Sequence, residues 1–179
     1  TDKSIHEFLE SREISYRQLT NDDLTRAVAR HIKKGKVVGW FQGRMEFGPR
    51  ALGGRSIIAD ARSPKMQSIM NLKIKYRESF RPFAPSVLVE KVSDWFDINA
   101  ASPYMLLVAS VKQDKRIDIL EGQKKLFGVD LLNIPRSQIP AITHVDYSAR
   151  IQTVHKETNP KYYALIKEFD KETGCPVII

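Results

Sequence analysis

Arg44, Arg50 and Arg55 are set among Gly43, Gly48, Pro49, Gly53 and Gly54, directly after the apolar run at residues 36–41. Glycine and proline at that density leave little room for regular structure, so the apolar run must deliver the chain into a loop. The loop has a defined chemistry. A guanidinium offers planar donors that match phosphate or carboxylate oxygens, and glycines let backbone N–H groups approach the same ligand. An anion pocket is therefore expected around residues 39–58.

Charge supports the same reading. Between residues 40 and 81, nine Lys or Arg stand against Glu46, Asp60 and Glu78, a surplus of +6 within a formal total of +8. Much of it lies in a second cluster, Lys73, Lys75, Arg77 and Arg81. A localised positive field concentrates anionic ligands at one place, whereas an evenly basic surface would bind polyanions diffusely.

With 179 residues, 42% hydrophobic and 28% charged, the chain is expected to form one domain, residues 1–179, with a sizeable core. Cys175 is the only cysteine, which excludes an intrachain disulfide, and the first residues lack signal-peptide order; a cytoplasmic location is expected. Apolar stretches fall far short of the roughly 20 residues of a membrane helix, so no membrane partner is expected.

Thr20 or Asn21 can cap a helix that opens on Asp22 and Asp23, closes on Lys33 and Lys34, and ends at Gly35. Its buried stripe is Leu24, Val28 and Ile32. Residues 36–41 read as a strand with Trp40 and Phe41 inward, and residues 56–59 as a second short strand. Ser63 and Pro64 open a helix with Met66, Ile69 and Met70 inward. Further strands are expected at 86–89, at 104–111 in the interior, at 139–143 and at 150–154, with a short helix at 90–96. Residues 112–140 read as an irregular connection. A last helix runs from Asn159 and Pro160 to Thr173, with Tyr163, Ile166 and Phe169 inward, and Gly174 ends it before a buried strand from Pro176 that also packs Cys175. This mixture gives an α/β or α+β fold, a layered sheet with helices packed on it.

The chain has no Walker A sequence, Cys-x-x-Cys, His-Glu-x-x-His or Gly-x-Ser-x-Gly, so the usual P-loop, zinc and serine-nucleophile chemistries lack their residues. Clustered cations instead suit the positioning and charge stabilisation of phosphoryl groups. His144 and Asp146 share a face if extended, where they could hold a metal or orient Arg150, but two ligands do not make a metal site.

Four segments carry a family likeness: Gly-Arg-Met-Glu-Phe-Gly-Pro-Arg-Ala-Leu-Gly at 43–53, Phe-Arg-Pro-Phe-Ala-Pro-Ser-Val-Leu at 80–88, Ser-Pro-Tyr-Met at 102–105, and Ala-Ile-Thr-His-Val-Asp-Tyr-Ser-Ala-Arg-Ile-Gln-Thr-Val at 141–154. In these the chain resembles the carbamoyltransferase C-terminal domain of nodulation, cephamycin and tobramycin O-carbamoyltransferases, over about residues 37–179. The resemblance implies a YrdC-like twisted mixed sheet with flanking helices, which forms carbamoyl-adenylate from carbamoyl phosphate and ATP with Mg2+. A preceding actin-like domain of the full-length chain would pass the carbamoyl group to a small-molecule hydroxyl. By motif, Arg50, Lys75, Arg81 and Arg150 are expected to hold carbamoyl phosphate and the nucleotide phosphates; Arg44, Arg55, Ser56 and Arg77 of the two basic segments are further candidates for binding the nucleotide. Each phosphate group carries roughly −1.5 to −2 charge, so adjacent phosphates need such compensation. The chain departs from the family pattern at Gly54, where Asn is common, and at Tyr147, where Gly is common. The family pattern also continues beyond Ile179 to a serine, so the chain is expected to be truncated there and to bind weakly or fail to turn over alone.

Two bland alternatives stand beside this reading. Arg44 could pair with Glu46, and Arg77 with Glu78, merely to shape their loops. A sequence pI near 9.6 also suits a basic RNA-binding module, although the confinement of the charge to one segment favours small-molecule substrates over nucleic acid.

Overall fold

The structure, a computed structural model, describes residues 1–123 and 125–179. Helix α1 (Asp2–Ser11), capped by Thr1, buries none of its residues, and α2 (Asn21–Lys33) follows. Thr20 caps α2 by accepting from the Asp23 N–H, while Asp22 and Asp23 complement the dipole. The stripe predicted for α2 is present: Val28 and Ile32 are buried and Leu24 packs partly against the core.

Strands β1 (Val38–Phe41) and β2 (Arg55–Ile58) pair antiparallel, Val38 opposite Ile58 and Phe41 opposite Arg55, so the Arg-Gly segment is the loop between them. Strand alternation sends Trp40 inward on the same face as the partly buried Val38. Phe41, expected in the core, is 65% exposed. Helix α3 (Met66–Ile69) starts three residues beyond Ser63 and continues as a π-helical turn, Met70–Ile74, with Met66 and Met70 buried.

A second sheet has the order β4-β5-β3-β6. Its members are β3 (Ser86–Leu88), β4 (Leu107–Ser110), β5 (Ser148–Val154) and β6 (Val177–Ile178). β3 and β5 run parallel with Ser86 opposite Gln152, and the other pairings are antiparallel. Between β3 and β4, a 3-10 turn at Val89–Lys91 leads into α4 (Val92–Trp95), and α5 (Gly128–Leu132) lies in the long connection after β4. α6 (Pro160–Thr173), capped by Asn159 and closed by Gly174 at φ 70°, packs against α2 and the sheet. Ala29, Ile32, Leu165, Ile166 and Phe169 are fully buried there. The fold is thus mixed α/β, as expected.

Three elements differ from the sequence reading. The strand expected in the interior at 104–111 is limited to Leu107–Ser110 at the sheet edge, because Met105 takes a left-handed φ of 57° and ends the extended run; Leu106 and Val108 face solvent. Residues 139–143 form a 3-10 turn at Pro140–Ile142 instead of a strand. Pro140 cannot donate to a ladder, and Ser137 and Thr143 side chains bind the Ile139 N–H and C=O groups. On α6, Tyr162 and Leu165 are buried, while Tyr163 is partly exposed with its hydroxyl on Glu90. Tyr147, at φ 64°, occupies a backbone conformation that suits glycine, and its ring lies under Arg116.

Candidate functional site

The loop between β1 and β2 is held by side chains from several elements. Glu46 accepts from the N–H groups of Leu52 (3.0 Å) and Gly54 (2.9 Å), and its carboxylate lies 3.6 Å from Arg55 Nε. Gly53 donates to Ser56 Oγ, and its carbonyl accepts from Trp40 Nε1 and Gln42 Nε2. The Leu52 carbonyl accepts from Gln152 Nε2 at 2.8 Å. Gly53 is required here for close approach: its φ is 99°, and a Cβ would sit 2.3 Å from the Tyr162 ring. This corrects one expectation. The N–H groups of Gly53 and Gly54 serve the loop's own architecture and are not turned toward a ligand.

The second basic cluster is fixed just as specifically. Gln67 and Asn71 stand one helical turn apart, and both are buried. Asn71 Nδ2 donates to the carbonyls of Ser79 and Arg81 at 2.9 Å, and Gln67 Nε2 reaches the Arg81 carbonyl at 3.1 Å. Asn71 Oδ1 accepts from Arg77 Nε at 2.7 Å, while the Arg77 guanidinium lies over the Phe83 ring. Gripped on its Nε edge and its face, Arg77 is held in one orientation.

Both segments border one cavity of about 290 Å³, lined among others by Arg50, Ser56, Lys75, Arg77 and Arg150. Arg150 arrives on β5, whose start is shaped by Asp146, which accepts from the Ser148 N–H and hydroxyl. Burial, and then the neighbouring Arg50 charge, push the Arg150 guanidinium below its ordinary value. Two cations are therefore kept near each other with no carboxylate side chain among the described lining residues to offset them. Such an arrangement favours an anionic ligand.

The sequence-predicted residues divide clearly. Arg50, Ser56, Lys75, Arg77 and Arg150 converge on the cavity, whereas Arg44, Arg55 and Arg81 are not among its lining residues. The pairing alternatives are also resolved: Glu46 pairs with Arg55 in place of Arg44, and Glu78 pairs with Arg81 (3.1 Å) in place of Arg77. Sequence reasoning raised Glu46 only as a partner of Arg44 and missed its hold on the loop's own N–H groups; it also missed Asn71 as the hold on Arg77, and the floor residues Ser86, Gln152 and Tyr162. A signal for two of them was present. Asn71 follows Gln67 at helical spacing among Met66, Ile69, Met70 and Leu72, and Gln152 stands next to Ile151 on a segment read as a strand.

His144 Nδ1 lies 3.5 Å from Asp146 Oδ1. Among the described residues no group of three or more His, Cys, Asp or Glu is placed to hold a metal ion, and no helix is long and apolar enough to cross a membrane.

A family profile for the carbamoyltransferase C-terminus matches residues 29–179, which include every cavity-lining residue named above. The chain belongs to the carbamoyltransferase C-terminus family. It is 59% identical, over its whole length, to the uncharacterized protein sll1178 of Synechocystis, of which it covers 29%. It is 40% identical over 89% of its length to nodulation protein NolO of Bradyrhizobium diazoefficiens, covering 26% of that protein. It is 35% identical over 90% of its length to the 3'-hydroxymethylcephem-O-carbamoyltransferase of Amycolatopsis lactamdurans, again covering 26%. The chain thus spans less than a third of the length of these relatives.

Proposed function

We propose that this carbamoyltransferase-family domain binds carbamoyl phosphate and ATP at the cation-lined cavity and forms carbamoyl-adenylate there. The observation that carries the reading is the convergence of Arg50, Lys75, Arg77 and Arg150 on one cavity. Cations drawn into a cavity favour small phosphorylated ligands; an RNA surface would spread them over a broad face. On balance, carbamoyl phosphate, ATP and one water become carbamoyl-adenylate, inorganic phosphate and pyrophosphate. Arg50 and Arg150 neutralise the carbamoyl phosphate dianion, and Lys75 and Arg77 hold nucleotide phosphates, bringing reactants together that would otherwise repel. Arg44, Arg55 and Arg81 lie outside the lining; Arg55 and Arg81 are offset by Glu46 and Glu78, which leaves Arg44 to add to the field that draws anions inward.

Magnesium fits this site only as a companion of the nucleotide. The lining side chains are cationic or neutral, so the ion would sit on phosphate oxygens and supply further charge neutralisation. Transfer to an acceptor hydroxyl is assigned to the remainder of a longer, two-domain protein, in keeping with the chain's share of its relatives.

The test is pyrophosphate release by the longer protein supplied with ATP and carbamoyl phosphate. Arg50→Ala and Arg77→Ala should each reduce it by about a hundredfold. Unchanged release in both variants would refute the assignment.

A further inference from the structure

The floor of the cavity carries a hydrogen-bond chain whose direction is fixed at one end. The Leu52 carbonyl can only accept, so the Gln152 amide must turn its nitrogen to Leu52 (2.8 Å) and its oxygen to Ser86. Ser86 Oγ, 2.9 Å from that oxygen, must then donate its single proton to Gln152. Tyr162, whose hydroxyl lies 2.9 Å from Ser86 Oγ, must in turn donate to Ser86. Ser86 and Gln152 are only 3% and 4% exposed, and Ser86, Gln152 and Tyr162 all line the cavity. Burial drives the Tyr162 phenol well above its ordinary range, so its proton stays in place.

A serine hydroxyl has one donor and two lone pairs. With the donor spent on Gln152 and one lone pair taken by Tyr162, Ser86 meets the cavity with one remaining lone pair. We propose that Ser86 is a specificity-determining residue: its enforced acceptor polarity selects phosphorylated ligands that carry an N–H2 group over isosteres that carry a methyl. This rests on the reading of the cavity as a carbamoyl phosphate site. It adds which protein atom distinguishes the carbamoyl end, while the cations take the phosphoryl end. A methyl in that place would leave the buried lone pair without a partner.

The test compares two stable mimics that differ only in that group, phosphonoacetamide and acetonylphosphonate, with inorganic phosphate as reference, each titrated calorimetrically into the protein. The wild type should prefer the amide by about tenfold. Ser86→Ala should bring that preference below about twofold while leaving inorganic phosphate affinity within about twofold of wild type. Gln152→Met provides an independent variant: it releases the Ser86 proton, lets Ser86 donate, and should relax the preference although Oγ remains. Equal binding of the two mimics to the wild type overturns the proposal, as does a preference that survives both substitutions. If inorganic phosphate itself fails to bind, or binds equally to Arg50→Ala, the underlying cavity reading falls, which is a separate result.

Discussion

Gly53→Ala tests the physical basis of the loop. The new methyl would lie 2.3 Å from Cδ1 and 2.7 Å from Cε1 of Tyr162, a fully buried ring on α6. Ordinary contact is near 3.5 to 4 Å, so the ring or the loop must move by about 1 Å within a packed core. Overpacking of that kind costs about 1–3 kcal/mol, and placing alanine at a φ of 99° adds about 1–2 kcal/mol. The combined loss should be about 3 kcal/mol or more. Gly174→Ala is the control, because its φ of 70° imposes the backbone cost while nothing lies within 4 Å of the added methyl. It should lose only about 1 kcal/mol. Urea unfolding of both variants by circular dichroism gives the comparison. Equal losses would show that Gly53 matters for backbone conformation alone and that the approach of Tyr162 to the loop is not the constraint.

Asn71→Leu removes the hydrogen bonds to Ser79, Arg81 and Arg77, so it should cost about 3 kcal/mol and raise hydrogen exchange across residues 76–84; unchanged exchange would contradict the role of Asn71 as the hold on this segment. Burial pushes the Cys175 thiol up to about 12, and the hydrogen bond to Glu90 does the same for the Tyr163 phenol. Both pKa values are higher folded than unfolded, so their contribution is complete below the unfolded values, near pH 9 to 10, and is lost as pH rises toward 12. Melting temperature should therefore fall over that window, and Cys175→Ala should make the fall shallower. At pH 8 the native thiol should resist a disulfide reagent until the protein is unfolded.

Local chemistry explains why some of this was readable in advance. Thr20 and Asn159 as caps, Gly174 as a stop and the stripe on α2 are decided by neighbours in sequence, and they appear where the residues indicate. The basic loop with Arg50 and the second cluster with Lys75 were legible because glycine, arginine and charge imbalance concentrate between residues 40 and 81, whereas Arg150 was reached only through the family likeness of residues 141–154. Edge position was not legible: residues 104–111 look like an interior strand, yet nothing local reveals that β4 pairs only with β5. Arg81 and Arg77 are similarly alike in sequence. What separates them is Asn71, a buried amide that grips the side chain of one and the backbone of the other. The donor direction at Ser86 depends on contacts 66 and 76 residues away, beyond any sequence pattern.

Direct titration of carbamoyl phosphate into the wild-type protein, Arg150→Ala and Arg26→Ala tests the central claim most closely. Arg26 carries the same charge but lies on the exposed side of α2, away from the cavity. Arg150→Ala should weaken binding by about tenfold or more, and Arg26→Ala should leave it within about twofold of wild type. Equal weakening by both substitutions would show a diffuse effect of net charge and contradict a built anion site.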